Sequence, residues 1–294
     1  MTGSGGSSLD GGIDGPSATG GRGGAGGRGA TGGTAGSAGT GGAGGLGGGA
    51  AGTGGSGGAA GGGGGTVAVM PCPATGDCKV MPVGDSITWK GYCDGAYRAD
   101  LFKLALTDAK HMTFVGRQMD GPDSVTVGGI TTPFPKNHEG YSGYTIDSGG
   151  GRTGISTLID AALTTNPPHI VLLMIGTNDV DNNLSLDTAP DRLGALMDRI
   201  TTGAPNALLV VAQIVPTQSA TINTRVETFN SAIPGLVQSR VAAGKHIVMV
   251  DMYGAFVANP NYMTALMTDR LHPNEAGCMV MATTWYDGIK SYLP

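Results

Sequence analysis

Val80-Met81-Pro82-Val83-Gly84-Asp85-Ser86-Ile87-Thr88 is a short apolar run that ends in Gly-Asp-Ser and then gives way to polar residues. It reads as a buried strand that delivers a serine to the mouth of a sheet, where a hydroxyl can serve as a nucleophile. Gly-Asp-Ser alone is three common residues, and an ordinary turn after a strand would produce the same string. A catalytic reading therefore needs a base and oxyanion donors elsewhere, on strands that end beside this one.

Downstream, apolar runs and amphipathic stretches alternate. Ala96 to Asp108 repeats Tyr97, Leu101, Leu104 and Ala105 at helical spacing, and Met112 to Gly116 is a short strand. Gly121 to His138 is rich in Gly, Pro and Thr and is expected to be loop. A helix over Ile155 to Leu163 stops at Asn166-Pro167-Pro168, and a strand over His169 to Ile175 ends in Gly-Thr-Asn-Asp. Helix Asp191 to Thr201, strand Ala207 to Val215, and helix Ile222 to Ala243 follow, with Pro234 expected to kink or split that last helix. Strand His246 to Met252 and helix Glu275 to Tyr292 close the chain. Strands without polar alternation, separated by helices, predict a parallel sheet covered on both faces. Ligands of such sheets bind beyond the carboxyl ends of the strands. Ser86, Asn178, Asp269 and His272 all fall there, whereas His111, His169 and His246 open strands at the opposite edge.

Composition divides the chain. Residues 1–65 hold 34 of the 56 glycines, no aromatic residue, and only Asp10, Asp14, Arg22 and Arg28 as charges. Such a stretch buries too little apolar surface to offset its ordering entropy and predicts a flexible linker, about 45 Å end to end if free. It lacks a Gly-X-Y register, which excludes collagen. Its Gly54-Gly55-Ser56-Gly57-Gly58 mimics a nucleophile elbow, but no strand precedes it and no helix follows. Residues 66–294 are expected to form the single folded unit. The linker charges cancel, so the net charge of −5 belongs to that unit. No basic stripe favours nucleic acid or an anionic membrane, and no apolar run is long enough to span a bilayer. The start shows no signal-peptide pattern.

Cys72 and Cys78 bracket a Pro/Gly loop before the first strand, which favours a local bridge and leaves Cys93 to pair with Cys278, although buried free thiols are the alternative. Disulfides and a long Gly/Ser/Thr linker suit a secreted protein. No Cys-x-x-Cys pair suggests zinc.

Acyl transfer by serine needs a base, a group that orients the base, and donors aimed at the developing oxyanion. Asp269-Arg270-Leu271-His272 places a carboxylate three residues before an imidazole on one loop, so that Asp269 can orient His272 toward Ser86. The Asn178 amide, the Gly143 N–H and the Ser86 N–H can form the oxyanion hole. Acid that protonates His272 is expected to abolish activity.

These four blocks, Gly84-Asp85-Ser86, Gly143, Gly176-Thr177-Asn178-Asp179 and Asp269-Arg270-Leu271-His272, resemble those of the SGNH hydrolases, or GDSL-type esterases, in the family's order. Ile87 stands where the name has leucine. The resemblance implies an α/β, flavodoxin-like three-layer αβα sandwich with about five parallel strands. Val80 to Thr88 and His138-Glu139-Gly140-Tyr141-Ser142-Gly143-Tyr144 are similar, more narrowly, to carbohydrate esterase family 3, which includes acetylxylan esterases. That similarity implies removal of acetyl groups from xylan through an acyl-enzyme on Ser86. A broad short-chain carboxylesterase or lipase, and a carbohydrate-binding protein without chemistry, are the alternatives. Trp89, Tyr141 and Tyr144 are candidates for a sugar-facing rim. No cofactor is expected. Calcium occurs in some relatives, and Asp120, Asp123 and Asp147 lie in Gly-rich loops, but without an Asp-x-Asp-x-Asp pattern they read as turn formers. The protein is expected to act as a monomer on an acetylated polysaccharide or small ester.

Overall fold

Val80, Met81 and Val83 have no exposed surface, and the strand that carries them, β1 (Cys78–Gly84), is paired on both edges. The structure, a computed structural model, describes residues 70–294. The expected linker over residues 1–65 lies outside the described residues.

After β1 come α1 (Ser86–Trp89), α2 (Ala96–Thr107), β2 (Met112–Phe114), β3 (Gln118–Met119), β4 (Ser124–Val127), β5 (Ile130–Pro133) and β6 (Asn137–Gly140). A 3-10 turn over Ile155–Thr157 leads into α3 (Ile159–Thr165), β7 (Ile170–Met174), α4 (Thr177–Asp181) and α5 (Ala189–Gly203). The chain continues with β8 (Leu208–Ala212), α6 (Ala220–Ala242), β9 (Ile247–Val250), α7 (Met252–Val257), α8 (Tyr262–Ala265) and α9 (Glu275–Ile289).

β1 pairs in parallel with β7, β7 with β8, and β8 with β9. The opposite edge of β1 takes two short parallel strands in succession. Val80 pairs with Phe114 of β2, and Gly84 pairs with Gly140 of β6. These two strands share one column, so the parallel sheet has five positions, as the family resemblance implied. Pro82 explains the split. Cys78, Val80 and Gly84 hydrogen-bond toward the β2 and β6 edge, whereas Lys79 bonds toward β7. By alternation Pro82 faces the gap between Phe114 and Glu139, where its missing N–H breaks no ladder bond.

Every residue of β7 and β8 is buried, which requires cover on both faces. α2 packs against α9, and α5 packs against both α3 and α6. Among the described residues no helix is long and apolar enough to cross a membrane.

Two regions depart from expectation. Gly121 to His138 is not simply loop: β4 and β5 form an antiparallel hairpin, and Asn137 and His138 already belong to β6. Gly128 and Gly129, both at positive φ between Val/Thr-rich triplets, are the hairpin signal in that stretch. The hairpin is largely exposed, so it lacks the continuous apolar character that marks the central strands. Pro234 does not split α6. Phe229 and Ile233 are buried on one side of it and Val237 on the other, so tertiary packing holds both halves in one helix. The Asn230 side chain adds two hydrogen bonds to the Ile214 backbone, each 2.9 Å.

The cysteines pair as Cys72–Cys78 and Cys93–Cys278. The second bridge ties the segment after α1 to α9. Arg98, fully buried on α2, donates to the carbonyls of Thr88, Trp89, Asp120 and Lys136 at 2.9–3.3 Å. It thereby fixes the end of α1 to the segments before β4 and β6. Burial pulls its guanidinium down to about 10.

Candidate active site

The register of β1 brings the site together. Gly84 pairs with Gly140 on one side and Met174 on the other, so the chain leaves the sheet at three adjacent strand ends. Gly84 must be glycine, because a Cβ there would collide with the Met174 carbonyl and the Thr88 hydroxyl. Asp85 caps α1 by accepting from the Ile87 N–H at 3.0 Å, which turns the chain sharply and leaves Ser86 in the first turn.

Ser86 Oγ lies 2.9 Å from His272 Nε2, although 186 positions separate them in the chain. His272 Nδ1 lies 3.1 and 3.0 Å from the two carboxylate oxygens of Asp269. An ionised carboxylate only accepts, so Nδ1 carries the proton and Nε2 is free to accept from the serine. Asp269 Oδ1 also accepts from the N–H groups of Leu271 and His272, at 2.8 Å each. Burial raises this carboxyl, but its hydrogen bonds to Leu271, His272 and Tyr92 outweigh that and hold it down to about 2. The loop is closed by a bridge between Met267 and Pro273 and leads into α9, capped by Asn274. Arg270 pairs with Asp181 of α4, which ties the His272 loop to the segment carrying Asn178.

Gly143 occupies the third position of a turn closed by the Tyr144 N–H on the Tyr141 carbonyl at 3.3 Å. Its φ of +76° is the conformation that such a turn asks of glycine. Asn178 is buried in the first turn of α4, and its Nδ2 donates to the Tyr144 carbonyl at 2.8 Å. That leaves the second amide proton uncommitted.

The rim candidates differ in placement. Trp89 is exposed at the end of α1. Tyr141 and Tyr144 stack at 4.9 Å between ring centroids, and the Tyr141 hydroxyl donates to Glu139 at 2.7 Å within the Arg117–Glu139 ion pair. Asp120 and Asp123 are engaged by Lys90 and Lys136, and no group of three or more metal-binding side chains occurs among the described residues.

Tyr92 escaped sequence reasoning, and Asp85, read as part of the Gly84-Asp85-Ser86 block, was given no role of its own. Tyr92 donates its hydroxyl to Asp269 Oδ2 at 2.9 Å and sets its ring edge-on to His272, 5.6 Å between centroids. Its only signal is its place beside Cys93. Asp85 is fully buried, and its Oδ2 has no hydrogen-bond partner among the described residues. Burial pushes this carboxyl up to about 6.

Residues 83–279 match the model of the GDSL-like Lipase/Acylhydrolase family. The chain belongs to that family. Among solved structures, the GDSL-type domain is similar to a family 3 carbohydrate esterase of Clostridium thermocellum, with 33% identity and a TM-score of 0.61. That similarity covers 74% of this chain and 97% of the other. It is also similar to a family 3 carbohydrate esterase from Talaromyces cellulolyticus, at 25% identity and a TM-score of 0.58, covering 73% of this chain and 97% of that one. A multidomain esterase of Ruminococcus flavefaciens is 28% identical over 233 residues, which make up 75% of this chain. The chain spans only 29% of the length of that curated relative.

Proposed function

We propose that the protein is a serine esterase that removes acetyl groups from carbohydrate. The contact that carries this reading is Ser86 Oγ to His272 Nε2 at 2.9 Å, with Asp269 on the far side of the imidazole. In this mechanism His272 takes the Ser86 proton as Oγ attacks the ester carbonyl, and Asp269 holds the ring and stabilises its cation. The N–H groups of Ser86 and Gly143 and the Asn178 amide receive the oxyanion. His272 then protonates the leaving alcohol; in the second half it takes a proton from the water that attacks the acetyl-enzyme carbonyl and returns that proton to Ser86 Oγ as acetate leaves.

Acetylated carbohydrate as substrate rests on the 33% identity to the Clostridium thermocellum family 3 carbohydrate esterase. The family description, which includes lipases, supports a broader short-chain ester hydrolase as the second reading. The two disulfides support secretion. The catalytic unit is expected to work as a monomer. Acetate release from acetylated xylan, with Ser86→Ala as control, tests the proposal. No release from xylan, combined with brisk cleavage of a ladder of longer acyl esters, would replace it with the lipase reading. Sugar binding without covalent labelling of Ser86 by an organophosphate would leave only a binding protein.

A further inference from the structure

The two oxyanion donors outside α1 come from separate segments, Gly143 from the turn after β6 and Asn178 from α4. Their spacing has to be held by something other than the sheet. Arg152 Nη1 donates to the Gly143 carbonyl at 3.1 Å, and Nη2 donates to Asn182 Oδ1 at 3.3 Å. Asn182 Nδ2 in turn donates to the Asn178 carbonyl at 2.9 Å, and Asn178 Nδ2 donates to the Tyr144 carbonyl at 2.8 Å. Gly143 and Tyr144 are chain neighbours, so the four bonds close a ring around both donors.

Arg152 is delivered to that place by a reverse turn. Its N–H and carbonyl exchange hydrogen bonds with Gly149 at 3.0 and 3.1 Å, across Gly150 and Gly151 at φ +59° and +78°. Two consecutive positive φ values make this a hairpin turn that glycine pairs favour. Both side-chain bonds of Arg152 go to neutral acceptors and neither to a carboxylate. The planar fork therefore acts as a spacer of fixed geometry.

Building on the esterase reading above, we propose that Arg152 is a positioning residue that locks the distance between the Gly143 and Asn178 oxyanion donors. Donors misplaced by a fraction of an ångström still bind a ground-state ester but stabilise the oxyanion poorly. The effect of losing the clamp belongs in kcat rather than KM.

The test uses the full chain with p-nitrophenyl acetate as probe and melting temperatures measured in parallel. Arg152→Met is expected to lower kcat by roughly tenfold or more while KM stays within about twofold. Arg152→Lys is expected to recover little of this, because one ammonium does not span both acceptors. Asn182→Leu breaks the same ring from the residue that follows α4 and carries the same expectation, including the case in which Arg152→Met fails to fold. Combining the two is expected to cost no more than either alone, because both open one ring. The inference is overturned if kcat is unchanged in Arg152→Met or Asn182→Leu, if the loss lies wholly in KM, or if Arg152→Lys restores full activity. Wild-type protein that neither cleaves the probe nor is labelled at Ser86 by an organophosphate defeats the esterase reading and this inference together. Labelled, active wild type beside an undiminished Arg152→Met defeats this inference alone.

Discussion

The Tyr92 hydroxyl donates to Asp269 Oδ2 at 2.9 Å from a residue that is itself 58% exposed. It is a fourth group in line with Ser86, His272 and Asp269, and it holds the carboxylate from the solvent side. Tyr92→Phe keeps the ring against His272 and removes only the hydroxyl. We expect kcat/KM to fall several-fold with little change in melting temperature, as read by steady-state kinetics and thermal unfolding.

Asn178→Ala removes an oxyanion donor and is expected to lower kcat by about 10²–10³. Gly143→Ala is expected to act in the same direction for a different reason. A Cβ there would sit 3.1 Å from Arg152 Nη1, on a backbone at φ +76° that L residues rarely adopt. Ester hydrolysis by the two variants, with KM reported separately, checks both.

Asp85 and Asp269 make opposite contributions to acid stability. Asp85 is raised to about 6 in the folded state, so the folded protein binds its proton more tightly than the unfolded chain. Stability is therefore expected to fall as pH rises from about 4 to 6 and then level off, a loss on the order of 3 kcal/mol. Asp85→Asn keeps the cap on Ile87 and should remove that fall. Asp269, depressed to about 2, contributes stability that is present above pH ~4 and lost as pH drops through 2. Denaturant unfolding of wild type and Asp85→Asn from about pH 1 to 8 separates the two contributions.

Replacing Arg98 removes a side-chain donor from the carbonyls of Thr88, Trp89, Asp120 and Lys136 and leaves a buried gap on α2. Arg98→Met is expected to destabilise the fold by roughly 3 kcal/mol or more. Because those carbonyls include Thr88 and Trp89, activity should suffer as well. Urea unfolding measures the first effect.

The Cys93–Cys278 bridge closes a loop across 185 positions. Its removal by the double substitution Cys93→Ser, Cys278→Ser is expected to cost about 3–5 kcal/mol. It should also loosen Tyr92, the neighbour of Cys93. Melting temperature and the kcat of the double variant are the readouts.

The parallel architecture was legible because β7 and β8 are apolar throughout and β1 is interrupted only by Lys79, a pattern expected of a sheet covered on both faces. Ser86, Asn178, Asp269 and His272 were legible because each follows such a run or sits ahead of the last helix. The β4–β5 hairpin was harder to read, since exposed strands carry a weak pattern. Pro234 misled because packing along α6 outweighs a local propensity.

By itself the sequence determined the fold class, the four blocks and the order in which they appear, since periodicity and short-range chemistry are written along the chain. Only the tertiary structure decided that Tyr92 reaches Asp269 across 177 positions and that Arg152 joins Gly143 to Asn182. Such partnerships depend on which strand ends lie side by side, and that is set by sheet register and loop packing, which no local pattern encodes.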